Sequence, residues 1–275
     1  MTEENLRLAM AEAVDKVHQS NPMAPSITNF VTIDFVANAQ LAVGGSAAMV
    51  YLPDEGELLA GGQAMYLNMG TLMPVYEETI PRTAKALHEH KTPWVLDPVG
   101  LGIGSLRSKL LLDCKECKPT IIRCNASEAI ALAEHWGLIK HQESGVRGVD
   151  STDSVESAEN AACALATFTG GAVAVSGECD LVTDGKQVAY VQGGSELMTL
   201  VTGSGCALGG VAAVYAAVAD PFVAAMCATA VFDLAGIRGA MNAHGPASFK
   251  VQFIDALHNA SANDIANVPF TLKEA

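Results

Sequence analysis

One glycine-rich segment of the sequence, Thr202-Gly203-Ser204-Gly205-Cys206, combines residue types that bind anions. It follows the apolar run Leu197–Val201, which we interpret as a short strand, and precedes a long alanine-rich stretch typical of a helix. Two glycines allow a tight turn, and the N–H groups at the start of a helix attract phosphate. The pattern also fits a plain helix start capped by Thr202 or Ser204, and the spacing alone does not choose between the two.

Ionisable side chains stand at the ends of two further apolar runs. Asp97 directly follows the run Pro93–Leu96, and Arg123 ends the next run. A carboxylate in such a place suits Mg²⁺ or its bound waters, and a planar guanidinium suits a phosphate. Glu128 could reach the same metal-bound waters, although Asn125 and Glu128 together also fit a helix-capping arrangement.

Other polar and soft residues extend this candidate site. Ser176 ends another apolar run, where its hydroxyl could meet a nucleotide. Asn29 and Asn38 precede a glycine-rich turn that leads to Met49, whose thioether could form an apolar wall for a flat heteroaromatic ring. A methionine taken alone is more often a core residue, so this assignment needs support from its neighbours.

Short apolar runs alternate with helical patterns over residues 1–136, after an opening amphipathic helix at 4–18. This alternation predicts a mostly parallel sheet covered by helices. The carboxyl ends of such strands form the ligand crevice, so Asp97 and Arg123 should meet there. The predicted strands are Ala48–Tyr51, Met65–Asn68, Pro93–Leu96 and Thr120–Arg123, and the predicted helices are 34–43, 75–90, 105–113 and 126–136.

The remainder of the sequence has a different character. Residues 141–160 are polar and predict a surface loop leading into a helix near 154–168. Three strands follow, with Asp184-Gly185 as the turn of a hairpin, and the chain after Gly203 is nearly all helical. We predict one domain over residues 1–275, an α/β fold with a helical C-terminal part. The strands are Ala172–Ser176, Asp180–Thr183 and Gln187–Val191, and the late helices are 205–219, 222–241 and 247–259.

The composition limits the partners and the compartment. A formal charge of −14 repels nucleic acid and anionic lipid, which argues against both as partners. The sequence has seven cysteines, an odd number, in which Cys114 and Cys117 are separated by two residues but no second such pair follows, and this pattern favours a reduced cytoplasm over a disulfide framework or a zinc site. The acidic N-terminus does not look like a signal peptide. Half of the residues are hydrophobic, a surplus that favours a homo-oligomer.

Taken together and in their order, these motifs resemble those of the hydroxyethylthiazole kinase family of the ribokinase-like superfamily. The resemblance implies a three-layer α/β/α fold and transfer of the γ-phosphate of ATP to the alcohol of 5-(2-hydroxyethyl)-4-methylthiazole. It further implies Mg²⁺, a place in thiamine biosynthesis or salvage, and a homotrimer with active sites between subunits. The matching segments are 27–49 (ITNFVTIDFVANAQLAVGGSAAM), 68–72 (NMGTL), 97–102 (DPVGLG), 123–128 (RCNASE), 172–185 (AVAVSGECDLVTDG), 197–210 (LMTLVTGSGCALGG) and 245–249 (GPASF).

The same resemblance implies a role for each candidate residue. Cys206 would receive the proton of the alcohol, and the start of its helix should lower the thiol pKa enough to give some thiolate. Because phosphoryl transfer depends mainly on positioning and charge neutralisation, we expect Cys206 to assist and not to dominate. The other residues are Met49, Gly203, Asn29 and Asn38 for the thiazole, Arg123, Ser176, Ser204 and Gly205 for ATP, and Asp97 and Glu128 for Mg²⁺.

Two other functions stay open at this point. A related kinase could act on a hydroxymethylpyrimidine or a pyridoxal-like alcohol, although Cys206 replaces the aspartate that most such enzymes use. A protein that binds the thiazole without turning it over could serve as a regulator, although it would not need Asp97, Glu128 and the glycine-rich segment together.

Overall fold

The computed structural model describes residues 1–140 and 155–275. Within these ranges, helices and strands alternate along the first part of the chain, and helices dominate its last third. The strands are β1 (Ser26–Ile27), β2 (Met65–Asn68), β3 (Trp94–Asp97), β4 (Ile121–Asn125), β5 (Ala172–Ser176), β6 (Asp180–Thr183), β7 (Gln187–Val191) and β8 (Phe270–Glu274). The helices are α1 (Glu3–Ser20), α2 (Ile33–Ala42), α3 (Pro53–Leu59), α4 (Tyr76–His90), α5 (Ser105–Lys115), α6 (Ala126–His135), α7 (Val155–Thr169), α8 (Ser204–Ala216), α9 (Pro221–Ala240), α10 (Pro246–His258) and α11 (Ala262–Ala266).

The strands of the described ranges form one sheet, in which they lie side by side in chain order. Strands β1 to β5 pair in parallel, and β5 to β8 pair antiparallel. The parallel part needs a long connection between each pair of strands, and helices supply most of these connections. The predicted parallel sheet is therefore confirmed, with an antiparallel extension at one side.

Helices cover both faces of the sheet and make a three-layer α/β/α fold. Side chains of successive strand residues alternate between two hydrophobic cores, as the period of a strand requires. In β2, for example, Tyr66 faces the core formed with α1, α2 and α8 to α11, whereas Met65 and Leu67 face the core formed with α3 to α7. Both faces are buried, which explains the nearly continuous apolar runs of the parallel strands.

Most predicted elements are confirmed to within a few residues, and the differences concern short segments. Ala48–Tyr51 is not a strand, because only Met49 forms an isolated bridge, to Ser26 of the two-residue strand β1. Leu197–Val201 is not a strand either, because Glu196–Leu200 forms a 3₁₀ helix. The sequence analysis missed β1, α3, α11 and β8, which have seven residues or fewer. Part of the predicted polar loop, residues 141–154, lies outside the described residues.

Helix α9 is as long and apolar as a membrane-spanning helix, but it is mostly buried. In the part of the chain that the structure describes, it is the helix that is long and apolar enough to cross a membrane, but 83% of its most apolar window is buried. It packs on β5 and β6 and against α8 and α10. The burial explains its composition, because a helix that is covered on nearly all sides needs apolar residues all round.

Candidate active site

Four strands of the parallel part carry a polar side chain at or near their carboxyl end, on the sheet face that α8 and α9 cover. Because side chains of a strand alternate, the residue two positions after a core residue points to the same face. The core residues of this face are Tyr66, Val95, Ile121 and Ala174. The polar residues that follow them, which we call the strand-end cluster, are Asn68, Asp97, Arg123 and Ser176.

Helix α8 begins directly above the strand-end cluster. Gly203 caps the helix with φ at +92°, a conformation that favours glycine, and an added Cβ would lie 2.7 Å from Thr32. At Gly205 an added Cβ would lie 2.4 Å from the guanidinium of Arg123. Both glycines of the motif are thus required by close approach, and the first turn of α8 points its N–H groups towards the cluster.

Asp97 and Arg123 form a buried ion pair at the centre of the cluster. Asp97 Oδ2 lies 3.6 Å from Arg123 Nη1 and accepts a 2.7 Å hydrogen bond from the Tyr66 hydroxyl. Arg123 also donates to Ser176 Oγ at 3.0 Å, which joins the ends of β4 and β5. Two polar atoms of the pair, Asp97 Oδ1 and Arg123 Nε, are buried and have no partner. The pair therefore offers one free acceptor and one free donor.

Burial and neighbouring charges act in opposite directions on this pair. Burial raises the pKa of Asp97 to about 6, Arg123 opposes the rise, and the charge of Glu128 adds to it. Burial alone would lower the pKa of Arg123, but Asp97 and Glu128 raise it above the usual value. Asp97 is therefore largely ionised at neutral pH beside a guanidinium that stays charged.

Two asparagines hold the thiol of Cys206. Asn68 Nδ2 lies 3.3 Å from the sulfur, and Asn29 Nδ2 lies 3.5 Å from it. Asn29 also donates to Asn68 Oδ1 at 2.9 Å, so the two amides and the thiol form one cluster at the start of α8. The structure thus brings Cys206 and Asn29, both candidate residues, next to the ion pair.

The expectation of a lowered thiol pKa is wrong. Burial raises the pKa of Cys206 above its ordinary value, and the nearby charge of Asp97 raises it further. Arg123 and the side chains of Thr32 and Asn68 act in the other direction without reversing the shift. Cys206 is buried to 9% exposure, so loss of solvation outweighs the helix N-terminus. Most of Cys206 is therefore a thiol at neutral pH.

The sequence left open whether Glu128 caps a helix or lies near the candidate metal site, and the structure shows both. Its Oε2 accepts from the N–H of Asn125, and Asn125 Oδ1 accepts from the N–H of Glu128, so the capping arrangement is present. Its Oε1 accepts from the N–H of Gly100 at 3.0 Å, in the loop after Asp97. The cap therefore fixes the Glu128 carboxylate next to this loop, and Glu128 is close enough to raise the pKa of Asp97.

Three other predicted residues lie at the margin of the cluster or away from it. Ser204 Oγ donates to the backbone oxygens of Met198 and Val201, which fixes the 3₁₀ helix to α8. Met49 is half-buried beside β1 and packs against the core of α8. Asn38 donates to Asp34 on the surface of α2, and the structure does not bring it to Cys206.

The sequence analysis missed Asn68, which belongs to the strand-end cluster, and Tyr66, which contacts it. Asn68 stands at a strand end within the NMGTL segment, so the rule that revealed Asp97 could have found it. Tyr66 gave no comparable signal, because an aromatic residue inside a strand usually fills the core. The hydrogen bond from its hydroxyl to Asp97 is visible only in the structure.

The cluster fits a magnesium ion that is shared with a nucleotide. Mg²⁺ usually keeps several waters and takes one or two carboxylates plus substrate phosphates. The buried, unpartnered Oδ1 of Asp97 is a suitable ligand, and Glu128 lies close by. The described residues contain no group of three His, Cys, Asp or Glu side chains that could hold a metal by themselves.

Solved structures with the same architecture define the class of the fold. The chain matches a ribokinase-like superfamily protein from Enterococcus faecalis with a TM-score of 0.63, over 95% of this chain and 96% of that one, at 11% identity. It matches a hydroxyethylthiazole kinase protein from Pyrococcus horikoshii with a TM-score of 0.85, over 97% of this chain and 98% of that one, at 29% identity. The fold is that of the ribokinase-like kinases.

Sequence comparison narrows the class to a family. The model of the hydroxyethylthiazole kinase family matches residues 14–263. A hydroxyethylthiazole kinase of Bifidobacterium longum subsp. infantis is 48% identical over 95% of this chain and 90% of its own. The chain belongs to the hydroxyethylthiazole kinase family, as the motifs of the sequence indicate.

Proposed function

We propose that this chain transfers the γ-phosphate of ATP to the hydroxyl of 5-(2-hydroxyethyl)-4-methylthiazole, in thiamine biosynthesis or salvage. Family membership supports the kinase reaction and ATP as the co-substrate. The observation that carries the proposal is the meeting of Asp97, Arg123 and the start of α8 at one edge of the sheet. The groups that we propose for metal and phosphate would thus lie within reach of one phosphoryl group.

Asp97 and Glu128 are the residues that we propose for Mg²⁺. Asp97 would bind through its free Oδ1, and Glu128 would hold the surrounding waters. Bound Mg²⁺ neutralises negative charge on the β- and γ-phosphates. Arg123 and Ser176 would bind the phosphates of ATP, because the guanidinium is charged and already oriented by the Ser176 hydroxyl.

The start of α8 would hold the transferring phosphoryl group through backbone N–H donors. The N–H of Gly205 lies in the first turn, where a helix leaves donors free and attracts negative charge, and the neighbouring N–H of Ser204 also donates to Val201 O at 3.4 Å. Such donors stabilise charge without moving during the reaction. The close contact between Gly205 and Arg123 places these donors next to the phosphate-binding guanidinium.

The alcohol would lie on the other side of the same helix start. We propose that Met49 and Gly203 border the thiazole ring and that Asn29 orients the hydroxyethyl group beside Cys206. Asn38 keeps its proposed role only if a neighbouring subunit brings the substrate to it. The thiolate form of Cys206 would accept the alcohol proton late in the transfer and become a thiol, and it would assist only modestly because the raised pKa keeps the thiolate fraction small.

We also propose that residues 1–275 act as one cytoplasmic domain that assembles as a homotrimer, without nucleic acid or membrane partners. Exposed apolar side chains next to Asn29 support an interface at the site: Phe30 is 47% exposed and Val31 is 63% exposed. Phe30 also stacks on Tyr51, with ring centroids 5.1 Å apart. Light scattering should give three times the mass of the chain, and a monomer would contradict the assembly.

An ADP-release assay tests the reaction. The purified protein is incubated with ATP and one of three alcohols, the thiazole, a hydroxymethylpyrimidine or pyridoxal, with and without Mg²⁺. We expect Mg²⁺-dependent ADP release with the thiazole and at least tenfold less with the other two, since a poorly fitting ring costs transition-state binding. Preference for another alcohol would assign a sister kinase, and tight thiazole binding without ADP release would assign a regulator.

A further inference from the structure

Tyr66 occupies a space that only a glycine in α8 leaves open. The tyrosine lies in β2, is fully buried and faces α8. An added Cβ at Gly209 would lie 2.4 Å from the ring carbon Cε2 of Tyr66 and 2.8 Å from its hydroxyl oxygen. A methyl group at Gly209 would therefore have to displace the ring, and with it the hydroxyl.

A backbone donor fixes the orientation of the amide next to Tyr66. The N–H of Gly70 donates to Asn68 Oδ1 at 2.9 Å, and because a backbone N–H can only donate, the facing atom must be the amide oxygen. Asn68 Nδ2 therefore points the other way, to the Tyr66 hydroxyl at 2.8 Å and to the Cys206 sulfur at 3.3 Å. The two hydrogens of Nδ2 are thereby assigned.

The Tyr66 hydroxyl must donate its hydrogen to Asp97. It accepts from Asn68, so its single hydrogen points to Asp97 Oδ2, at 2.7 Å. A chain of donors thus runs from the backbone of Gly70 through Asn68 and Tyr66 to the carboxylate. One hydroxyl joins the group proposed for Mg²⁺ to the amide that holds Cys206, and it leaves Asp97 Oδ1 free.

We propose that Tyr66 and Gly209 are a matched pair of positioning residues: Gly209 admits the ring, and the Tyr66 hydroxyl fixes Asp97 and Asn68 relative to Cys206. The inference rests on the proposed kinase function, because it gives Asp97 the role of metal ligand. Tyr66 itself touches no reacting atom. Groups that orient a metal-binding side chain commonly contribute tenfold to hundredfold in metal affinity or activity.

The test compares Tyr66→Phe, which removes only the hydroxyl, with Tyr215→Phe, which changes another fully buried tyrosine within α8. Calorimetry measures ADP binding with and without Mg²⁺, and kinetics measure the Mg²⁺ concentration for half-maximal rate. In Tyr66→Phe we expect about tenfold weaker Mg²⁺-dependent ADP binding and about tenfold more Mg²⁺ for half-maximal rate, with an unchanged KM for the alcohol. Tyr215→Phe should match the unaltered protein in all three measurements.

A second variant tests the pairing itself. Gly209→Ala should weaken Mg²⁺-dependent ADP binding to a similar extent by displacing the same hydroxyl. The double variant should then be no weaker than either single one, since additive losses mean independent effects. Normal Mg²⁺-dependent ADP binding in Tyr66→Phe would overturn the proposal, as would additive losses in the double variant. Because the calorimetry needs no alcohol, it remains decisive even where the protein turns over none of the three.

Discussion

Asp97 and Asp233 are both buried aspartates on the side of the sheet that α8 and α9 cover, but their surroundings differ. Asp97 has a guanidinium and a tyrosine hydroxyl as partners, and its pKa rises only to about 6. Asp233, in α9, has a buried Oδ2 without a partner. Burial raises the pKa of Asp233 well above its ordinary value, and the nearby charge of Asp180 raises it further.

The difference in partners leaves Asp97 largely ionised and Asp233 protonated at neutral pH. Directed donors let Asp97 stay charged in a dry environment, where a charge acts strongly on a ligand. Asp233 instead holds a proton over most of the neutral range, packed against the backbone of Gly193 and Gly194. Burial raises the pKa of both aspartates, and the guanidinium and hydroxyl beside Asp97 limit the rise there.

The largest effect is expected for Asp97→Asn. The change keeps the shape of the side chain but removes the charge that we propose for Mg²⁺, so kcat should fall about 10²- to 10³-fold. Steady-state kinetics over a Mg²⁺ series measure this loss, and circular dichroism checks the fold. Asp233→Asn is the matched control and should keep kcat within about threefold. Equal losses in both variants would end the distinction between the two aspartates.

A smaller loss is expected for Gly205→Ala. The added methyl would lie 2.4 Å from a guanidinium that Asp97 and Ser176 hold in place, so Arg123 and the start of α8 must move apart. Displacements of this size cost about 10- to 100-fold in rate. Gly61→Ala is the control, since Gly61, just after α3, has no strained backbone conformation and an added Cβ would make only an ordinary 3.6 Å contact with the backbone oxygen of Leu58. A Gly205→Ala protein with full kcat would exclude a phosphate cradle at this glycine.

For Cys206→Ala we expect about a tenfold decrease in kcat, below the 10²- to 10⁴-fold typical of a general base. The raised pKa of Cys206 is the reason, because few of the molecules carry a thiolate. Steady-state kinetics with the preferred alcohol measure the decrease. A fall to the uncatalysed rate would show instead that the thiol dominates the transfer.

The smallest effect on activity, but a clear one on stability, is expected for Asp233→Asn. The folded protein binds a proton at Asp233 that the unfolded chain releases above pH 4, so the free energy of unfolding should fall as pH rises towards the folded pKa. The variant lacks this loss and should be about 1–3 kcal/mol more stable than the unaltered protein at pH 8, with less gain at pH 5. Urea unfolding at both pH values measures it, and the exposed Asp255→Asn serves as control. An equal gain at both pH values would contradict a buried proton.

The sequence predicted the parts of the site that obey a general rule. Asp97, Arg123 and Ser176 stand at or near the carboxyl ends of parallel strands, and the pattern of strands and helices was enough to bring them together. The glycines of the α8 motif were found because tight turns at helix starts require them. These inferences need only local spacing and the topology of the sheet.

Other features depend on distances that no local pattern contains. The sequence could not show that the Tyr66 ring fits beneath Gly209 and so reaches Asp97. Tyr66 and Gly209 are 143 positions apart in the sequence, and only packing brings them together. It also gave the wrong direction for the Cys206 pKa, because the helix start is visible in the sequence but the burial of the thiol is not. Short elements such as β1 and β8 were missed because they are too brief to show a period.

The position of α8 and α9 late in the chain has a consequence for synthesis on the ribosome. These two helices cover one face of strands that are synthesised long before them. This face of the sheet therefore stays uncovered until more than 240 residues have been synthesised. During this time apolar strand residues such as Val95 and Ile121 are open to aggregation, and chaperones protect surfaces of this kind. The candidate site includes the start of α8, so it cannot be complete before that helix has been synthesised.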